Sequence, residues 1–70
     1  MVEVRSEIVA NVWQVCVVEG DHVSIGETLV ILESMKMEIP VEAPSAGRII
    51  AVHVQPDDPV GEGDVLVVIE

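Results

Sequence analysis

Seventy residues with 13 acidic and only three basic side chains carry a net charge of −10, which makes nucleic acid a poor partner and leaves room for one domain, residues 1–70. Half of the residues are apolar, yet the longest unbroken apolar run, Val65 to Ile69, falls far short of the roughly 20 residues of a membrane span. Cys16 is alone and cannot form an internal disulfide, and no signal or transit segment opens the chain, so the expectation is a cytoplasmic monomer held together by packing. The acidic excess reads first as a solvating coat, and second as a means of steering toward basic enzyme surfaces.

Sixteen valines and seven isoleucines, with Trp13 as the sole aromatic, favour strands over helices because β-branched side chains suit a pleated surface. In chain order, Trp13, Val15 and Val17 alternate with Gln14 and Cys16 as one strand with its odd positions toward the core. A turn at Glu19-Gly20-Asp21 and another at Gly26 lead to a strand over Leu29–Glu33. That strand reverses into Glu38–Val41. After a turn at Gly47 come Ile50, Val52 and Val54, again with alternate residues inward, and turns at Pro56-Asp57-Asp58-Pro59 and Gly61-Glu62-Gly63 precede the last strand.

Shifted by 37 residues without a gap, residues 1–33 align with residues 38–70. Val15 and Val17 fall on Val52 and Val54, Asp21 and Val23 on Asp58 and Val60, Gly26 on Gly63, and Leu29, Val30 and Glu33 on Leu66, Val67 and Glu70. The chain is an internal duplication. Neither copy can bury its apolar face alone, so two halves of about four strands each should close a flattened barrel around a pseudo-twofold axis. The joint between them is 34–37.

Catalytic chemistry finds little material. Cys16 and His53 occupy matching outward positions and read as partly exposed strand residues, and His22 has no Cys or His partner at ligand spacing, which disfavours zinc. Asp57 and Asp58 sit between prolines and read as turn formers rather than an acid/base pair. No nucleophile, base and orienting group can be assembled, and no phosphate loop is present, so neither an enzyme nor a metal centre is expected.

What remains is the joint. Lys36 is the only lysine, flanked by Met35 and Met37 in the run Glu33-Ser34-Met35-Lys36-Met37-Glu38. A tight hairpin there puts Met35 and Lys36 at its tip, where Asn-Gly is the usual choice because both positions need positive φ. The sequence breaks a local rule at this one spot, which is where a functional site is expected. Two polarizable methionines displayed at a surface point to a contact.

That run, followed by Ala43-Pro44 and Gly47 and accompanied by the Glu19-Gly20-Asp21, Val23 and Gly26 turn pattern, resembles the attachment segment of the biotinyl/lipoyl domain family, over nearly the whole chain. The look is similar to small free-standing biotin/lipoyl attachment proteins. The resemblance implies an all-β flattened antiparallel barrel of two four-stranded sheets, with the modified lysine on a hairpin opposite the termini. Met-Lys-Met resembles the biotinyl branch, which commonly shows Ala-Met-Lys-Met, whereas lipoyl domains usually set the lysine between an acidic and a small residue. Ser34 replaces that Ala, a small-for-small change. Glu7 and Ala10 stand where Pro and Gly are typical, which suggests a differently bent first strand. The thumb insertion of some carriers has no counterpart.

The resemblance further implies covalent biotin on Lys36, with Met35 and Met37 guiding a biotin protein ligase and Glu33, Ser34 and Glu38 flanking the turn. A protonated amine has no lone pair to attack with, so the ligase must take a proton from it before attack on the biotinyl adenylate. In the full carrier reading, the biotin ureido nitrogen receives a carboxyl group at a biotin carboxylase and delivers it at the carboxyltransferase of an acyl-CoA carboxylase system. The alternatives are a biotinylated regulatory or partner-binding protein, and a lipoyl carrier.

Overall fold

The computed structural model describes all 70 residues, Met1–Glu70. Eight strands follow in order: β1 (Val2–Arg5), β2 (Ala10–Val15), β3 (His22–Val23), β4 (Thr28–Ser34), β5 (Met37–Glu42), β6 (Gly47–Val52), β7 (Pro59–Val60) and β8 (Val65–Ile69). They form two four-stranded sheets in the orders β1-β8-β6-β3 and β5-β4-β2-β7, antiparallel throughout. Each sheet therefore takes two strands from each half of the chain. A shift of 37 residues turns one sheet order into the other, which is the arrangement a pseudo-twofold axis requires. No helix is long and apolar enough to cross a membrane.

The repetition reaches individual hydrogen bonds. Val18 N–H donates to Asp21 Oδ2 at 2.9 Å, and Gln55 N–H donates to Asp58 Oδ2 at 3.0 Å. Ser24 N–H donates to Glu27 Oε1, and Gly61 N–H to Asp64 Oδ2. Gly26 and Gly63 both adopt positive φ, at 86° and 91°. The mate of Gly20 (φ 98°) is Asp57 (φ 75°), an aspartate whose short polar side chain tolerates the left-handed region.

The core is a layer of Val, Leu and Ile between the sheets. Leu29, Leu32, Ile49, Leu66 and Ile69 are all but inaccessible, and Ile8, Val15, Ile39, Val41, Val52 and Val54 pack against them half-buried.

Three expectations need correction. Trp13 does not face the core: it is 47% exposed, because the β2–β4 register shifts between Val12 and Gln14. Its mate Ile50 sits at the matching shift between Ile49 and Ala51. One extra residue in each strand reverses the in–out parity upstream, so Val12 and Ile49 are the buried residues. Gly47 is not a turn glycine. It opens β6, where a Cβ would lie 2.6 Å from Ile69 Cγ2 and against the Glu70 carbonyl.

The third correction concerns Glu7 and Ala10, which do not change the bend. Residues 7–8 and 44–45 bend alike. In the second half Pro44 stiffens the corner. In the first half the buried Ser6 hydroxyl does so instead, donating to the Ile8 carbonyl at 2.6 Å and accepting from Ile8 N–H at 3.3 Å.

Candidate functional site

β4 and β5 form the longest ladder in the molecule, with partners running from Thr28↔Glu42 to Ser34↔Met37. Two residues close it. Met35 (φ 53°) and Lys36 (φ 65°) both occupy the left-handed region, the signature of a type I′ hairpin turn. Neither is Gly, Asn or Asp, and each such position costs about 1–3 kcal/mol. The turn holds because Leu29, Val30 and Leu32 anchor β4 in the core, so the register leaves the tip no other path.

The turn displays its side chains. Met35 is 91% exposed, Met37 is 64% exposed, and Lys36 is exposed between them. Arg5 donates to the Gly63 carbonyl at 2.7 Å and pairs with Glu3, while Arg48 pairs with Glu70 at 3.1 Å. Lys36 is the one lysine or arginine with neither an ion pair nor a hydrogen bond.

Behind the tip, Glu33 and Glu38 face each other directly across the ladder, both exposed. Like charges directly opposite each other are destabilising in a sheet. Ser34 pairs with Met37 and is half-buried at the base of the turn. The six sequence-selected residues thus occupy one hairpin end.

The sequence gives no hint of the neighbours on the other side of β4. Asn11 pairs with Glu33, so Val9 and Ala10 enter β2 beside the hairpin, and Val9 is exposed. That adjacency depends on sheet order, which no local pattern encodes. By the pseudo-twofold, the Leu32↔Ile39 pair below the hairpin is matched by the Val2↔Ile69 pair at the opposite end.

An amine on a fixed tip, without partners and rimmed by apolar side chains, is suited to acylation by another protein. A family model described as "Biotin-requiring enzyme" matches residues 3–69. The chain belongs to the biotin/lipoyl attachment family. It is 52% identical over 67 residues to a "Biotinylated protein TB7.3 homolog" of Mycobacterium leprae, covering 96% of this chain and 94% of that one. A "Biotin/lipoyl attachment protein" of Bacillus subtilis is 44% identical over 63 residues, covering 90% and 86% respectively. Among solved structures, the urea carboxylase of Kluyveromyces lactis superposes with a TM-score of 0.92 at 32% identity, over 99% of this chain and 6% of that enzyme. The two-sheet fold is that of a biotinyl domain within a carboxylase.

Proposed function

We propose that Lys36 accepts covalent biotin from a biotin protein ligase, and that the chain then works as a biotinylated partner-binding protein. The observation that carries this is the type I′ turn at Met35-Lys36, strained on both residues and presenting the only lysine. An amide link to biotin requires an accessible primary amine free of competing partners, and Lys36 fits that requirement. When bound, biotin supplies a ureido nitrogen able to hold a carboxyl group.

The chain's own part is presentation. The Lys36 Nζ lone pair attacks the acyl carbon of the ligase-held adenylate, adenylate leaves, and the ligase takes the amine proton. A tip fixed by the β4–β5 ladder reaches the ligase already ordered, which lowers the entropy cost of docking. Met35 and Met37 supply apolar contact on either side of the amine, and Glu33, Ser34 and Glu38 form the base that a ligase would straddle. The chain is a substrate and a handle rather than a catalyst.

The order of readings follows from the relatives. Those of nearly the same length carry names that describe the attachment alone, which supports the biotinylated protein ahead of the acyl-CoA carboxylase carrier expected from sequence. Carboxyl carriage between a biotin carboxylase and a carboxyltransferase is the second reading, favoured by the superposition on the urea carboxylase. Lipoate on the same amine ranks third.

Intact-mass measurement after incubation with biotin ligase, ATP and biotin tests the first step. A single biotinyl increment is expected, and an unchanged mass contradicts it. A lipoyl increment on protein expressed with both ligases active would put the third reading first. Biotinylated chain offered to biotin carboxylase with ATP and labelled bicarbonate separates the remaining two: label on the chain promotes the carrier, and none leaves the partner-binding reading in front.

A further inference from the structure

The barrel does not close between β1 and β5. Both are edge strands, β1 paired only with β8 and β5 only with β4, and the seam between them holds a cleft of about 360 Å³. That lies within the range of small-molecule sites. Its walls include Val4, Ile8, Leu32, Ile39 and Val41. Ile8, Ile39 and Val41 are only half-buried, so the cleft exposes apolar surface that the core leaves uncovered.

The cleft lies across the pseudo-twofold axis but is not fully symmetric about it. Three mate pairs line it, Val4 with Val41, Arg5 with Glu42 and Glu7 with Pro44, whereas the apolar Ile8, Leu32 and Ile39 line it without their mates Ser45, Ile69 and Val2. All three are on the hairpin side. The cleft therefore spans the axis and carries its additional apolar wall on the side of Lys36.

We propose that biotin on Lys36 folds back along β5 and seats its bicyclic ring in this cleft, an inference that rests on Lys36 being the acceptor. Ile39 is three residues from Lys36, about 10 Å along a strand. A lysine side chain amide-linked to a pentanoyl chain spans that distance when extended. The ring's thioether side would cover Ile39 and Ile8. Its ureido N–H groups need acceptors, and the rim carboxylates Glu7 and Glu42 make no hydrogen bond of their own. Arg5, also on the rim, is held by Glu3 and the Gly63 carbonyl and leaves those carboxylates unpaired. A seated ring would shield the cofactor between encounters, and a partner would have to draw it out.

The test compares methyl and amide NMR spectra of the chain before and after complete enzymatic biotinylation, with intact mass as the check on loading. Seating predicts shifts at Ile8, Ile39 and Val41 and nuclear Overhauser contacts from ring protons to the Ile39 methyls. An Ile39→Thr variant keeps a β-branched strand residue and should lose those contacts while still gaining the biotinyl mass. Full loading with shifts confined to Ser34–Met37 overturns the seating alone. A chain that gains no mass overturns both the seating and the acceptor role.

Discussion

The loops at Gly20 and Asp57 and the tip at Met35-Lys36 all hold backbone at positive φ, yet they reach it by different routes. The loops are mates under the 37-residue repeat, and each uses a residue suited to the conformation, glycine in one and aspartate in the other. Asp21 and Asp58 then bond the backbone three residues upstream in the same way. The tip uses two residues that dislike the conformation. Where geometry alone sets the residue, the sequence complies, and where it does not comply, another demand is acting on the same position.

That contrast can be tested by substitution. Leu29 and Leu66 are mates and both fully buried, so Leu→Ala at either should cost about 2–5 kcal/mol in urea unfolding. A large difference between the two would show that the halves are not energetically equivalent. Gly47→Ala should cost about 1–3 kcal/mol, because the new methyl meets the Glu70 carbonyl and Ile69, although its mate Ala10 already carries a Cβ. An unchanged midpoint would mean that β8 yields at its end. The smallest effect has the opposite sign. Met35→Asn with Lys36 retained should stabilise the chain by about 0.5–1 kcal/mol while slowing ligation, and a loss of stability would remove the argument from strain.

Much of this molecule is legible in the sequence, and the reasons are specific. The gapless repeat locates both sets of turns, and the strands predicted at Leu29–Glu33 and Glu38–Val41 form as β4 and β5 with one extra residue at each end. Lys36, Met35 and Met37 stand out by type, and Glu33, Ser34 and Glu38 follow from being next to them. Trp13 is misplaced by simple alternation because a one-residue bulge leaves no mark in composition, even though Ile50 repeats it. The bend at Glu7 is misjudged because a serine hydroxyl can do the work of a proline, and only the bonds from Ser6 to Ile8 reveal it. Val9 beside the hairpin and the cleft between β1 and β5 arise from which strands become neighbours, a long-range outcome with no local signature.

In the proposed function, position on the strained tip, and not merely the presence of a lysine, makes Lys36 the acceptor. Moving the amine by one residue tests this directly, in the double variants Lys36→Arg with Met35→Lys and Lys36→Arg with Met37→Lys, each followed by mass spectrometry during ligation. Both should be acylated slower than the parent by about 100-fold, since a reacting group displaced by a small distance loses about that much rate. Equal rates for the moved and the native amines would contradict the account.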